Sequence, residues 1–149
     1  MTSAPDLPAS PASRALILGS TSRYRRELLS RLNLPFEAVA PNVDETPQAG
    51  ESPASLSLRL ALAKARDVAQ RHPEAVVIGS DQVADLHGEP LGKPGTHERA
   101  VAQLRRMRGQ TVVFHTALAV VCQASGFERS DIAAVRVVFR DLDDDEIER

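Results

Sequence analysis

Hydrophobic and polar positions along the chain fall into segments of different period, and each period predicts an element. Arg14-Ala-Leu-Ile-Leu-Gly19 is a short apolar run closed by glycine, which predicts a strand. The polar turn Ser20-Thr-Ser22 follows, and Tyr24 to Leu32 then carries leucines at 28, 29 and 32, the spacing of a helix. Phe36 to Ala40 predicts a second strand, and Pro41 to Gly50 a loop rich in turn formers and acids. Ser52-Pro53 is a helix start, because serine caps free N–H groups and proline suits the first helical position. That helix is expected to run to about Arg71, with Leu56, Leu60, Ala63 and Val68 on or near one face.

Ala75-Val-Val-Ile-Gly79 has the β-branched content of a buried central strand. Gln82 to Leu91 then predicts a hairpin turning at His87-Gly88. Thr96 caps a predicted helix through Met107, which Gly109 closes. Thr111 to Cys122 and Ile132 to Phe139 predict two long strands joined through Ala124-Ser125-Gly126. Leu142-Asp143-Asp-Asp-Glu146 has the form of a capping box and starts a last helix. Because βαβ units and hairpins both occur, the order predicts an α/β domain around a mixed, largely central β-sheet flanked by helices. It spans residues 14–149. Residues 1–13, with three prolines among alanine and serine, predict a disordered tail.

Composition narrows the class. At 149 residues, 42% apolar and 26% charged, the chain has the make-up of one globular domain with a real core. No apolar run approaches the roughly 18 residues of a membrane span, so no membrane partner is expected. Eighteen basic against twenty acidic residues leave a net charge of −2, which argues against a nucleic-acid partner, and any anion must be met locally. A single cysteine, Cys122, forms no intrachain disulfide, and the start of the chain lacks the basic and apolar regions of a signal peptide. The expected location is the cytoplasm.

Several positions carry chemistry beyond this frame. Gly19-Ser-Thr-Ser22 leaves a strand and enters a helix, where hydroxyls and free N–H groups face the positive end of the helix dipole. Serine caps occur for structural reasons alone, but Arg23, Arg25 and Arg26 follow at once and favour phosphate. This is not a P-loop, since the GxxxxGK[ST] spacing is absent. Asp44-Glu45 lies in the acidic loop, and Asp81 directly follows the predicted central strand, where such sheets place a ligand crevice. Asp81 is either a ligand contact or a turn-forming residue. Hard carboxylates near phosphates suit Mg²⁺ or Mn²⁺. The four histidines, His72, His87, His97 and His115, lack zinc spacing.

Only Lys64 and Lys93 are lysines among the eighteen basic residues. A lysine is a compact point charge where arginine is a planar fork, so their retention is either chance or phosphate contact. Lys93 lies in Gly92-Lys-Pro-Gly95, a restricted loop before a helix. Lys64 falls mid-helix among alanines, on a slender face that allows close approach.

Five stretches, Gly19-Ser-Thr-Ser-Arg-Tyr-Arg-Arg-Glu-Leu-Leu29, Val43-Asp-Glu45, Leu60-Ala-Leu-Ala-Lys-Ala65, Ile78-Gly-Ser-Asp-Gln-Val83 and Leu91-Gly-Lys-Pro94, resemble the motifs of the Maf family of nucleoside triphosphate pyrophosphatases in order and spacing. The likeness covers about Leu16 to Arg149. It implies a Maf/inosine-triphosphatase-like fold with a ligand cleft. It also implies a bacterial cytoplasmic enzyme, often a homodimer, that uses Mg²⁺ or Mn²⁺ to hydrolyse a nucleoside triphosphate to monophosphate and diphosphate. By the same resemblance Ser20, Ser22, Arg25 and Arg26 bind phosphates, Lys64 and Lys93 hold the triphosphate, and Glu45 and Asp81 work with metal and water, Asp81 as the base. Gln82 and Tyr24 look like the branch acting on 7-methyl-GTP, Tyr24 either stacking on the base or packing beside Leu28. The family's Gly-rich C-terminal segment, which helps complete the base pocket and fold, is missing from this sequence. Rival readings keep the chemistry on another nucleotide such as dTTP or UTP, or reduce the protein to non-catalytic nucleotide binding.

Overall fold

A computed structural model of the chain describes residues 14–91 and 96–140. The predicted tail over 1–13, the 92–95 loop with Lys93, and the helix expected after Leu142 lie outside the described residues. Strand β1 (Leu16–Leu18) leads through helix α1 (Arg23–Ser30) to β2 (Glu37–Ala38), and α2 (Pro53–Arg71) returns the chain to β3 (Val76–Leu86). Both β2 and β3 run parallel to β1. The chain then folds back through β4 (Glu89–Leu91), crosses by α3 (His97–Met107), and adds β5 (Thr111–Cys122) and β6 (Phe127–Val138) antiparallel. The result is a six-stranded mixed sheet in the order β2-β1-β3-β5-β6, with β4 paired to β3. This is the α/β architecture expected from the sequence.

Local chemistry accounts for the helix starts. Ser22, Ser52 and Thr96 each sit at an N-cap and accept a hydrogen bond from the backbone N–H three residues on. Pro53 occupies the first turn of α2, where its missing N–H costs nothing. The three predicted helices that fall on described residues end within two residues of the observed ones.

The strands differ more. A break was expected after Gly79, yet β3 continues through Ser80 and Asp81 to Leu86 as one strand. Asp81 therefore lies mid-strand, opposite Ala117 of β5, and not after a strand end. Likewise β6 begins at Phe127, five residues before the predicted start, because Phe127 to Asp131 pair in register with Leu118 to Cys122 despite their polarity. The β2 strand is shorter than Phe36–Ala40.

The main core forms where the small residues of α2 meet the sheet. Ala61, Ala65, Val68 and Ala69 pack on Ile17, Val77, Ala117, Ala119 and Val121. Burying Val68 and Val77 completely is worth about 1.5–3 kcal/mol each. A second cluster joins Leu86, Met107 and Val112 under α3. Gly79 explains how close α2 comes: a Cβ there would lie 2.4 Å from the Ala61 carbonyl oxygen and 2.8 Å from the Ala65 nitrogen. Only glycine lets helix and strand meet at this distance.

Candidate active site

The close contact at Gly79 sets the site. Side chains alternate across a strand, so Asp81 faces the same side as Gly79, toward α2. Lys64 projects from α2 beside the contact, and its Nζ donates to Asp81 Oδ1 at 2.8 Å with both residues buried. The ammonium also lies 3.5 Å from Glu45 Oε1, whose side chain is 54% exposed. Burial pushes the Asp81 carboxyl above the ordinary aspartate range, and the hydrogen bond from Lys64 opposes that rise.

Opposite these groups stands the turn between β1 and α1. Ser20 Oγ accepts from the Ser22 N–H at 3.0 Å, and Ser22 Oγ accepts from the Arg25 N–H at 3.3 Å. A hydroxyl that accepts a backbone bond keeps its own hydrogen, so both serines can still donate to an anion. Arg25, half-buried on the inner side of α1, adds a guanidinium whose charge acts on Asp81. Ser20, Ser22, Arg25, Glu45 and Lys64 line one cavity of about 180 Å³.

The other predicted site residues are placed apart. Arg26 and Tyr24 are exposed on α1 and do not line the cavity, Tyr24 being 69% exposed. Gln82, one residue past Asp81, falls on the opposite face of β3 and is exposed. Lys93 is among the residues not described. Leu91, two positions before it, pairs with Ala84, three residues from Asp81. Asp44 and Glu45 also separate. Asp44 Oδ1 accepts from the Thr46 N–H at 3.0 Å and closes a turn, and its carboxyl is held below the usual range by Thr46, whereas Glu45 reaches Lys64.

Sequence reasoning missed Arg59 and Glu51, which pair beside this loop. The Arg59 Nε donates to Glu51 Oε2 at 2.6 Å, and Nη2 donates to Glu51 Oε1 at 2.9 Å. An arginine on α2 eight residues after an acid looks like an ordinary solvated pair, and nothing in its spacing marks it.

The pattern of residues that builds this site also matches a family model. The model for Maf-like proteins matches residues 15–149. The chain belongs to the Maf-like family. Among curated relatives, this Maf-like chain is 74% identical over 138 residues to a 7-methyl-GTP pyrophosphatase of Polaromonas sp., covering 93% of this chain and 63% of the relative. It is 62% identical over 138 residues to a 7-methyl-GTP pyrophosphatase of Albidiferax ferrireducens, covering 93% of this chain and 69% of that one. The Maf-like chain thus spans about two thirds of the length of these relatives. A solved structure of a HAM1 protein from Coxiella burnetii superposes with a TM-score of 0.54 at 15% identity, covering 81% of this chain and 71% of that one. That likeness is one of fold. Among the described residues no helix is long and apolar enough to cross a membrane.

Proposed function

We propose that the protein hydrolyses a nucleoside triphosphate to the monophosphate and diphosphate, with 7-methyl-GTP as the first substrate to test. The observation that carries this is the Lys64 ammonium held between Asp81 and Glu45 across a small cavity from the Ser20/Ser22/Arg25 turn. The names of the relatives at 74% and 62% identity support the substrate.

In this reading the serine hydroxyls and the Arg25 fork bind phosphate oxygens at the N-terminus of α1. A water attacks the α-phosphorus, the bond to the bridging oxygen breaks, and diphosphate leaves. Asp81 takes the proton of that water, a role suited to a carboxylate whose affinity for protons burial has raised. Lys64 orients Asp81 and lends positive charge to the phosphates. Lys93 remains in the proposal as a second point charge and Arg26 as a peripheral one. The exposed ring of Tyr24, two residues past the Ser22 cap, is a face on which a cationic methylated base could stack, for about 0.5–2 kcal/mol. Gln82, exposed on the face of β3 opposite Asp81, is given no contact with the phosphates in this reading.

Asp81 and Glu45 fit a divalent cation of the Mg²⁺ or Mn²⁺ kind. Both are hard oxygen donors gathered at one ammonium, and such ions take one or two protein carboxylates with phosphates and water. Among the described residues no group of three or more His, Cys, Asp or Glu is gathered for a metal. When bound, the cation would supply charge neutralisation on the phosphates. A cytoplasmic location and a homodimeric assembly belong to the same proposal.

The experiment is diphosphate release from 7-methyl-GTP, GTP, dTTP and UTP with Mg²⁺. Turnover is expected on 7-methyl-GTP, and Asp81→Asn should lower it by about 10²–10⁴. Faster release from dTTP or UTP would move the substrate. Stabilisation by nucleotide with no diphosphate released would make the protein a binding module.

A further inference from the structure

Glu45 reaches Lys64 from a loop, and the hydrogen bonds of that loop show what places it. The loop between β2 and α2 is laced to α2 at two points. At its start, the Asn42 N–H donates to Asp67 Oδ2 at 2.9 Å, and Arg71 Nη2 donates to the same Asp67 atom at 2.7 Å and to the Ala40 carbonyl at 3.0 Å. Further on, Arg59 grips Glu51 through two hydrogen bonds, and its Nη2 also donates to the Thr46 carbonyl at 3.2 Å. Glu51 is fastened in turn, since its Oε1 accepts from the Gln48 N–H at 3.0 Å.

Thr46 directly follows Glu45. Residues 59 and 67 are eight apart on the helix, about 12 Å along its axis, and Lys64 lies between them. The stretch of loop that carries Glu45 is thus pinned on either side of the lysine it meets. The Glu45 carboxylate is more than half exposed, with Lys64 as its ion-pair partner, so an unpinned loop would leave it free to turn into solvent.

We infer that Arg59 is a positioning residue, whose forked guanidinium holds the Thr46 carbonyl and Glu51 so that the Glu45 carboxylate stands at Lys64. The inference rests on the proposed role of Glu45 in nucleotide hydrolysis. An arginine is needed because one planar group must serve a carboxylate and a carbonyl together, a geometry that a lysine ammonium does not reproduce. Arg59 does not itself line the cavity.

The test is a double-mutant cycle in the full chain between Arg59→Lys and Glu45→Gln, read by diphosphate release from 7-methyl-GTP with Mg²⁺. Arg59→Lys alone should lower kcat by about 10- to 100-fold, as outer partners of functional groups do, with a smaller change in KM. In the Glu45→Gln background the same change should cost little, because the group it positions is already gone. Glu51→Gln should reproduce the loss, and thermal unfolding checks that each variant is folded. Amide hydrogen exchange supplies a reading independent of turnover: Arg59→Lys should raise exchange at Thr46, with the core of α2 unchanged. Equal loss of kcat in both backgrounds, or exchange at Thr46 unaltered, overturns the positioning role. Should the wild type release no diphosphate, the functional proposal fails while the exchange result still decides whether Arg59 orders the loop.

Discussion

Lys64 and Arg66 stand two residues apart on α2, and each holds a carboxylate of the sheet, yet the two pairs obey different physics. The side chains of Lys64 and Asp81 on β3 are each 8% exposed, whereas those of Arg66 and Glu128 on β6 are 53% and 39% exposed. In the first region both charges have been taken from water, so each depends on the other. In the second, solvent screens the attraction and either side chain can be rehydrated. The strands share the contrast, since β3 buries most of its residues while all twelve positions of β6 are exposed. Depth beneath α2 thus separates the place where geometry can be held for chemistry from the place where contacts are interchangeable.

Removing the two cations should break the comparison most visibly. Lys64→Met keeps volume and leaves Asp81 buried without its partner, which should cost about 3–5 kcal/mol in urea unfolding. Arg66→Met should cost at most about 1 kcal/mol. Changing both members of the buried pair, Lys64→Met with Asp81→Leu, should recover much of the first loss, because no uncompensated charge remains. Equal costs for the two single variants would remove the distinction between the regions.

The glycines sharpen it next. Gly79→Ala drives a methyl into the α2 backbone, at 2.4 Å from the Ala61 oxygen, where no flexible side chain can yield. Its cost should reach the top of the ~1–3 kcal/mol range of overpacked cores, and turnover should fall as Lys64 and Asp81 are moved apart. Gly126, in the turn between β5 and β6, has φ +71° and open space around its Cβ position. There alanine meets only the backbone penalty of the left-handed region, ~1 kcal/mol. A ranking with Gly126→Ala the more costly would contradict the close approach of α2 and β3.

These same residues show what could be read from the sequence and what could not. Strand β5 was predicted at its observed bounds, because a long, mostly apolar stretch rich in β-branched residues between Gly109 and a turn fits little else. Helix α2 was legible from Ser52-Pro53 and its apolar spacing. Strand β3 was cut short at Gly79, because glycine followed by Ser80 and Asp81 reads as a strand end when the helix that requires the glycine is not yet in view. The start of β6 was hidden for the opposite reason: Phe127 to Asp131 lack a strand pattern of their own and follow the register of β5. Within the site, the motifs gave Ser20 and Ser22 at the turn into α1, Glu45 in the acidic loop, Lys64 on the small-residue face of α2, and Asp81 in the strand beneath it. Arg59 and Glu51 were not legible, since their meaning comes from where a loop folds back on a helix.

Acid titration separates the regions by sign. The Asp81 carboxyl is raised above its ordinary value of 3.8 by burial, so its contribution to stability is fully present below that value and is lost as pH rises through the folded-state value. Glu128 is lowered below its ordinary 4.5 by the hydrogen bond from Arg66, so its contribution is present above 4.5 and is lost as pH falls through the folded-state value. Unfolding free energy followed from neutral pH down to about pH 3 should therefore fall less steeply in Glu128→Gln than in wild type. In Asp81→Asn it should fall more steeply. Slopes that change in the same direction would mean that the two carboxylates share one environment.

The smallest effects are expected on β6 itself. Val135 and Val138 are 55% and 75% exposed, and Val135 lies opposite Phe114 of β5 while Val138 lies opposite Thr111. Threonine has nearly the shape of valine and the same β-branching, so strand preference is kept while a methyl becomes a hydroxyl. On a solvated strand that hydroxyl meets water, and Val135→Thr and Val138→Thr should each change stability by no more than about 0.5 kcal/mol. In a covered interface the hydroxyl would be stripped of water without a partner, at about 1–3 kcal/mol. Urea unfolding at two protein concentrations tells these cases apart. A loss of that larger size that grows with protein concentration would show a second copy seated on β6, and one independent of concentration would show that the chain itself covers the strand. Either result would end the contrast between an exposed β6 and a buried β3.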